Sequence, residues 1–229
     1  MYLIFALLLS CTTNPKPTDN VVLERPPTEE VEVVEENEPT DTPEEEQEVE
    51  EEPVDTAACD TATEDTAPAD PITWTECSYV IGDHICNVTL PDVDEVIHEL
   101  YSYYGRPIVI QLSAEWCGPC NTAGTFAEAY MQRYASEDLL WITIILENTG
   151  GEPATTLDLM QWEAQMNTVG ALTLAGSRDL IDLTAQDGFP LTSWPTFVIV
   201  DDDMVIYHGF YGWSESYLTS VLDTMFEIQ

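Results

Sequence analysis

The chain has 229 residues, of which 44 are Asp or Glu and only 5 are Lys or Arg, so its formal net charge at pH 7 is −39. Because almost no cation is available to neutralise phosphates, this composition argues against nucleic acid as a partner. The length allows one domain or two, and the distribution of apolar residues along the chain decides between them.

Residues 1–11 form an apolar run that ends in Leu8-Leu9-Ser10-Cys11. The run is too short to cross a bilayer as a helix. It resembles the lipobox of bacterial lipoproteins, which implies that Cys11 is lipidated and anchors the protein to a membrane. No Lys or Arg precedes the run, unlike most secretion signals, so an ordinary cleaved signal or a misassigned start stays open. Thr12, where Asp would imply retention in the inner membrane, slightly favours the outer membrane.

Residues 12–71 have no apolar period and are dense in Glu, Asp, Thr and Pro. Runs such as Glu44-Glu45-Glu46 repel themselves and stay solvated, which predicts a disordered acidic linker. The linker ends in three Asp-Thr-Ala units at five-residue steps, which have almost no side chain to pack. It is either a tether that holds a domain clear of the membrane or an acidic tail that maintains solubility.

Residues 72–90 favour a β-hairpin, because two β-rich pieces flank the turn Gly82-Asp83. Cys77 and Cys86 fall one on each piece, and in an exported protein we expect them to form a structural disulfide. Two free buried thiols are the alternative. Cys59 in the linker is then left over, and it is inert, free or paired with another molecule.

Pro91 is predicted to start a helix that Gly105 ends. Asp92 can cap the N-terminus of this helix, and Glu95 three residues later completes a pattern similar to a capping box. Its apolar stripe would consist of Val93, Val96, Ile97 and Leu100.

The stretch Pro107–Cys120 reads PIVIQLSAEWCGPC and carries the main functional signal. Ile108–Leu112 is an apolar run long enough for a buried strand and too short for a helix. Cys117 and Cys120 follow where a helical pattern begins, and a CxxC in this position is typical of a dithiol redox centre. At a helix N-terminus, the unpaired N–H groups and the helix dipole favour a thiolate. Pro119 suits the first helical turn, where its missing N–H costs nothing.

The remaining pattern alternates strands and helices, which implies a sheet with helices on both faces. A helix is predicted from the dithiol to about Tyr134, followed by a continuous apolar strand over Leu139–Leu146 that suits the middle of a sheet. Further predicted elements are a helix over Pro153–Met166, a strand over Val169–Ala175, helical turns from Ser177 through Ala185, strands over Phe197–Val200 and Met204–Tyr207, and a closing helix capped by Ser214.

Ala114–Cys120, AEWCGPC, resembles the active-site motif of thioredoxins. Trp194-Pro195-Thr196-Phe197, followed by an apolar strand, resembles the cis-proline loop that faces the dithiol in that family. The resemblance covers about Tyr79 to the C-terminus, and its layout is closest to the TlpA-like thiol–disulfide oxidoreductases of the cell envelope. It implies that residues 72–229 form an α/β thioredoxin-like domain. This domain would have a central mixed sheet, helices on both faces, an N-terminal hairpin and an insertion before the proline loop.

The resemblance also assigns roles to residues. Cys117 would attack a substrate disulfide, and Cys120 would resolve the mixed disulfide. Pro195, if cis, would turn neighbouring backbone groups outward to hold the substrate as a short extra strand. The two tryptophans beside the dithiol could instead be core or lid residues. The residues expected to bind substrate are Trp116, Gly118, Pro119, Trp194, Pro195 and Thr196.

Three positions depart from the thioredoxin pattern. Gln111 stands where thioredoxins place a buried acid, and an amide cannot deprotonate Cys120, so resolution should be slower or differently tuned. Asn121 replaces the frequent lysine after the dithiol, which removes a cation near the thiolate. Trp194 is bulkier than the small or β-branched residue usual before this proline.

The function implied is a protein-disulfide reductase in the bacterial cell envelope, because Gly118-Pro119 between the cysteines resembles the reducing members of the superfamily. It would take electrons from a membrane thiol reductase and act on protein disulfides. We expect a monomer with no cofactor and no metal, since His84, His98 and His208 show no ligand spacing. The alternatives are an envelope disulfide oxidase or isomerase, and a redox-inactive binding head of a surface lipoprotein.

Overall fold

The computed structural model describes Leu23, Arg25–Pro27 and Ile72–Ile228. The predictions for the run that ends at Cys11, for Cys59 and for most of the acidic linker lie outside these residues. Residues 72–228 belong to one compact unit.

Two sheets form from seven strands within these residues. Strands β1 (Thr89–Pro91) and β2 (Ile97–Glu99) pair antiparallel as a short ribbon. The main sheet has the strand order β5-β4-β3-β6-β7, in which β3, β4 and β5 are parallel and the last two strands are antiparallel to their neighbours. The predicted mixed sheet is therefore confirmed. Its strands are β3 (Ile108–Ala114), β4 (Leu140–Glu147), β5 (Leu172–Ala175), β6 (Thr196–Val200) and β7 (Ile206–Tyr211).

The continuous apolar runs become the two central strands. Every residue of β3 and of β4 is buried, as expected for parallel strands that are covered on both faces. The start of β6 lies opposite the end of β3, with Leu112 beside Thr196. This register brings the loop before β6 to the edge of the sheet where the dithiol follows β3.

Within the residues that the structure describes, four α-helices accompany the sheet. The helix predicted to run from the dithiol to Tyr134 is interrupted at Thr125-Phe126. Gly124 at this break lets the helix over Thr156–Met166 approach closely, since a Cβ at Gly124 would lie 2.8 Å from the Trp162 ring. The closing helix is capped as predicted, with Ser214 Oγ accepting a hydrogen bond from the Tyr217 N–H. No described helix is long and apolar enough to cross a membrane. The helices are α1 (Gly118–Gly124), α2 (Ala127–Arg133), α3 (Thr156–Met166) and α4 (Glu215–Met225).

The two faces of the sheet are covered differently. On one face Val109 packs in a cluster with Tyr130 of α2 and Leu218 of α4. On the other face Ile110 packs in a cluster that includes Tyr79 and Phe189, which come from the segment before β1 and from the loop before β6. Much of the second face is thus covered by irregular chain.

The helix predicted from Pro91 to Gly105 is wrong. This stretch contains the turn between β1 and β2 and a single 3-10 turn over Leu100–Tyr103. Asp92 does bind nearby N–H groups, but those of Asp94 and Val96, which closes the β-turn. Glu95 adopts a left-handed φ of 61°, which stops a helix. Val96 is 53% exposed, so the expected apolar stripe does not form.

The predicted hairpin over residues 72–90 is only partly formed. Its turn is present, with Gly82 at a φ of 89°. The flanking pieces make isolated bridges, Ser78 with Ile85 and His84 with Val205, in place of a continuous ladder. The segment is held instead by longer contacts, such as the Tyr79 N–H donating to the Ala185 carbonyl at 2.8 Å.

The insertion between β4 and β6 holds α3, β5 and one 3-10 turn over Arg178–Leu180. Ser177 caps this turn as expected, because its Oγ accepts a hydrogen bond from the Asp179 N–H. The helical turns do not continue to Ala185. Asp182 ends them, since its carboxylate accepts hydrogen bonds from the N–H groups of residues 184, 186 and 187 and folds this stretch into a loop.

Part of the predicted linker contacts the domain. Leu23 is only 8% exposed and Pro26 is buried. A Cβ at Gly209 of β7 would lie 2.8 Å from Leu23 Cδ2, so the missing side chain of this glycine makes room for the leucine. The composition of residues 12–71 gave no sign of this contact.

Candidate active site

The dithiol lies at the junction between the central strand and a helix. Cys117 is the N-cap residue of α1, and Cys120 lies in its first turn. The two residues form a disulfide with their Cα atoms 5.2 Å apart. The Cys120 N–H donates a hydrogen bond to Cys117 Sγ at 3.2 Å. A sulfur that accepts an amide hydrogen bond is stabilised as a thiolate, so the geometry favours Cys117 as the anionic sulfur once the pair is reduced.

The surroundings of the two sulfurs differ. Cys120 is fully buried, whereas Cys117 is 4% exposed to solvent. Gly118 and Pro119 between them are exposed. A substrate therefore reaches the pair from the side of Cys117, over the two intervening residues.

A cis-proline loop lies next to this junction. The Trp194–Pro195 peptide bond is cis. Pro195 is buried, and its carbonyl accepts a hydrogen bond from the Gly212 N–H at 2.7 Å. Thr196 is fully buried, and its hydroxyl donates to the Ser193 carbonyl. Trp194 is half-buried and packs against the cluster that contains both cysteines.

Two tryptophans from different loops meet beside the dithiol. Trp116, immediately before Cys117, is 48% exposed. Its ring contacts the Trp194 ring edge-to-face, with 5.6 Å between centroids. Its indole N–H donates to Glu147 Oε2 at 2.8 Å. The predicted substrate residues of the two motifs are thus brought to one place.

Glu147 and Arg178 complete this cluster, and no motif in the sequence pointed to either residue. Glu147 closes β4, and its carboxylate pairs with the Arg178 guanidinium. The hydrogen bond from Arg178 is the main reason that the pKa of the Glu147 carboxyl lies below its ordinary value. An acid at the end of a buried strand was the one available signal, because such a residue needs a partner.

The comparisons with known proteins concern the fold. No protein-family model and no curated protein matches the chain. Among solved structures, it is similar to a DsbF homologue from Corynebacterium diphtheriae, with a TM-score of 0.51, 15% identity, and coverage of 67% of this chain and 95% of the other. It is also similar to the thioredoxin domain of a thiol-disulfide oxidoreductase from Bacteroides vulgatus, with a TM-score of 0.50, 11% identity, and coverage of 62% and 95%. The chain has a thioredoxin-like fold.

Gln111, at the position where the motif predicted a buried acid, contacts the backbone of the dithiol helix. It is fully buried in β3, and its amide N–H groups donate to Ser113 Oγ at 2.7 Å and to the Cys120 carbonyl at 3.0 Å. Its Oε1 has no hydrogen-bond partner within the described part of the chain. The side chain therefore supports the backbone under the dithiol but offers no group that could take a proton from Cys120.

Two polar neighbours of the dithiol are engaged with the backbone. Glu115 Oε2 accepts a hydrogen bond from the Thr149 N–H at 2.9 Å, and burial raises the pKa of its carboxyl. The Asn121 side-chain amide donates a hydrogen bond to the Glu115 carbonyl at 3.2 Å. Glu115 thus joins the dithiol loop to the loop after β4, and Asn121 joins the first helix back to the dithiol loop.

The second disulfide lies apart from this site. Cys77 and Cys86, nine positions apart in the segment before β1, form a disulfide with their Cα atoms 4.9 Å apart. Cys77 is exposed and Cys86 half-buried.

Each of the three histidines contacts a different residue. His84 stacks on Trp74, His98 binds Asp92, and His208 binds Tyr217. Within residues 72–228 and the four described earlier, no group of three His, Cys, Asp or Glu could hold a metal ion.

Proposed function

We propose that the chain is a thiol–disulfide oxidoreductase that reduces protein disulfides through Cys117 and Cys120. The observation that carries this proposal is the disulfide at the N-terminus of α1, adjoining a cis-proline loop. The names of the two similar structures, a DsbF homologue and a thiol-disulfide oxidoreductase, support the same chemistry.

The reaction begins from the reduced pair. The Cys117 thiolate attacks one sulfur of a substrate disulfide and releases the other as a thiolate, which takes up a proton. The Cys120 thiol then loses its proton, attacks Cys117 Sγ and releases the second substrate sulfur as a thiolate, which also takes up a proton. Two electrons and two protons pass to the substrate, and the Cys117–Cys120 disulfide of the structure is the oxidised product. Because Gln111 cannot accept the Cys120 proton, water or Glu115 takes it.

The groove that would hold the substrate runs between the two motifs. Gly118 and Pro119 form the exposed floor next to Cys117, and Trp116 and Trp194 form its rim. Backbone groups beside cis-Pro195 and Thr196 would pair with an extended segment of the substrate.

We place this activity in the bacterial cell envelope. A lipid on Cys11 would anchor the chain, a membrane thiol reductase would supply electrons to the Cys117–Cys120 disulfide, and the protein would act as a monomer. Cell fractionation of a Cys11→Ser variant tests the anchor. Loss of the protein from the membrane fraction supports it, and unchanged membrane association would refute it.

The reduction potential of the Cys117–Cys120 pair tests the proposed function. The full chain is equilibrated with glutathione or dithiothreitol buffers, trapped with an alkylating reagent and digested, so that the peptide with Cys117 and Cys120 is read separately from those with Cys77 and Cys86. A potential near about −270 mV or lower supports a reductant. A potential near about −120 mV would make the protein an oxidant. A pair that shows no reversible disulfide would leave only a binding role.

A further inference from the structure

The orientation of Trp116 depends on one carboxylate. Nearly half of this side chain is exposed, and its indole N–H donates to Glu147 Oε2. Because Trp116 directly precedes Cys117, the direction of its ring decides how much of the approach to the reactive sulfur is covered.

That carboxylate is in turn held by the insertion. The Glu147 side chain is only 6% exposed, and a buried carboxylate requires a counter-charge or hydrogen bonds to remain ionised. Arg178 supplies both, through its Nε and Glu147 Oε1. The arginine belongs to the 3-10 turn that follows β5 and is itself 63% exposed.

Arg178 also reaches the other tryptophan. Its guanidinium carbon lies 6.0 Å from the centre of the Trp194 ring, within the range of a cation–π contact. Trp194 precedes the cis-proline. Arg178 therefore contacts Trp194 directly, and its ion pair with Glu147 holds the carboxylate that binds Trp116. The remaining arginines of the domain are paired elsewhere, Arg106 with Asp138 and Arg133 with Asp223.

We propose that Arg178, acting through Glu147, is a positioning residue that holds Trp116 against Trp194 and so shapes the groove for the substrate polypeptide. This role rests on the proposed oxidoreductase function. The ion pair joins three separate parts of the chain, namely the dithiol loop, the end of β4 and the insertion. Its effect falls on the binding of an extended polypeptide and leaves the sulfur chemistry itself unchanged.

Three variants separate this role from a general structural one. Arg178→Ala removes the counter-charge and the contact with Trp194. Arg178→Lys keeps a charge beside Glu147. Glu147→Gln removes the ion pair but retains an oxygen that can accept the Trp116 N–H, and it leaves no buried charge without a partner. The matched control is Arg133→Ala, which removes another half-exposed arginine from an ion pair on α2.

The kinetic readout compares a polypeptide disulfide with a small one. With insulin as substrate, Arg178→Ala should raise KM about tenfold and change kcat less than twofold, whereas Arg178→Lys should recover most of the loss. Toward a small aromatic disulfide, and in the reduction potential of the dithiol, all variants should match the unmodified chain. Equal losses toward both substrates, a shifted potential, or an unchanged KM for insulin in Arg178→Ala would each overturn the proposal.

The spectroscopic readout does not depend on activity. In the oxidised full chain labelled with ¹⁵N, the Trp116 indole N–H signal, assigned with Trp116→Phe, should shift and exchange faster with solvent in Arg178→Ala. It should stay protected in Glu147→Gln and in Arg133→Ala. An unshifted, protected signal in Arg178→Ala would refute the positioning role even if the dithiol proved redox-active. The expected shift in a chain without a reversible disulfide would refute the oxidoreductase function alone.

Discussion

The Cys77–Cys86 and Cys117–Cys120 disulfides lie in unlike surroundings. The first joins two pieces of irregular chain and has an exposed cysteine at one end. The second closes a span of three residues, with both cysteines buried where the central strand meets α1. The more exposed pair is thus the one without an adjacent helix N-terminus or cis-proline loop. The proposed reactivity of the Cys117–Cys120 pair therefore rests not on exposure but on the amide N–H that faces Cys117 Sγ, because such a hydrogen bond favours a thiolate.

The difference in surroundings also suggests that the two disulfides have different roles. A disulfide between poorly structured pieces restricts the unfolded chain and fixes the native one, which is a stabilising role. A disulfide within a preformed turn needs little rearrangement to open, which suits the catalytic role that we propose for Cys117 and Cys120. We therefore expect variants of the two pairs to affect different measurements.

The largest expected effect is the loss of activity on removing the nucleophile. Cys117→Ser should lower the rate of insulin reduction by at least about a thousandfold, as removal of a catalytic nucleophile does. The double variant Cys77→Ala, Cys86→Ala should keep the rate within about threefold, because this pair lies outside the groove. Initial rates with dithiothreitol as donor measure both. Loss of activity in the Cys77→Ala, Cys86→Ala variant without loss of folded protein would show that the Cys77–Cys86 pair also exchanges electrons.

The next effect is on the free energy of unfolding. The Cys77–Cys86 bond closes a loop of about ten residues, so the chain-entropy model gives it about 3 kcal/mol. The double alanine variant at these positions should lose about that amount in urea unfolding. The matched variant Cys117→Ala, Cys120→Ala removes a disulfide that closes a shorter loop. It should therefore lose less free energy of unfolding, about 2 kcal/mol. The reverse order would mean that the dithiol is the main covalent support of the domain.

The elements around the dithiol were predictable because their signals are local. The apolar run before Cys117, the CxxC itself and the Ser214 cap each depend on a few adjacent residues, and the structure has the strand, helix and cap at these places. At these three places the tertiary contacts agree with the local signal, so the elements that form are the ones that the local pattern predicts.

The stretch before β3 was mispredicted because its signals fit two structures. Asp92 followed by Glu95 suits a helix cap, and the same aspartate also closes a β-turn by accepting N–H bonds from residues two and four positions later. Packing of Leu100 against the sheet is compatible with either. The Glu147–Arg178 pair could not be predicted for another reason. Its partners are 31 residues apart and meet only once β4 and the insertion are folded.

The smallest expected effect is a pH dependence of the free energy of unfolding, caused by a carboxylate near the Cys77–Cys86 disulfide. Asp182 organises the loop whose Ala185 carbonyl accepts the Tyr79 N–H, two residues from Cys77. Hydrogen bonds from the Thr184 hydroxyl and from three backbone N–H groups lower the pKa of the Asp182 carboxyl from 3.8 to about 2. Because this pKa is depressed in the folded state, the stabilisation is fully present above about pH 4 and is lost as the pH falls through about 2.

Asp182→Asn should therefore be less stable than the unmodified chain at pH 7, and the difference should disappear near pH 2. Urea unfolding at pH 7, 4 and 2 measures this, and Asp187→Asn, which changes an exposed acid in the same loop, is the control. In Asp182→Asn at pH 7 the Cys77–Cys86 bond should also be reduced faster by dithiothreitol, while the potential of the Cys117–Cys120 pair stays unchanged. A stability difference that is constant across this pH range would show that Asp182 acts through its shape and not its charge. A change in the potential of the Cys117–Cys120 pair, with no change in the reduction rate of Cys77–Cys86, would contradict the separation of the two disulfides.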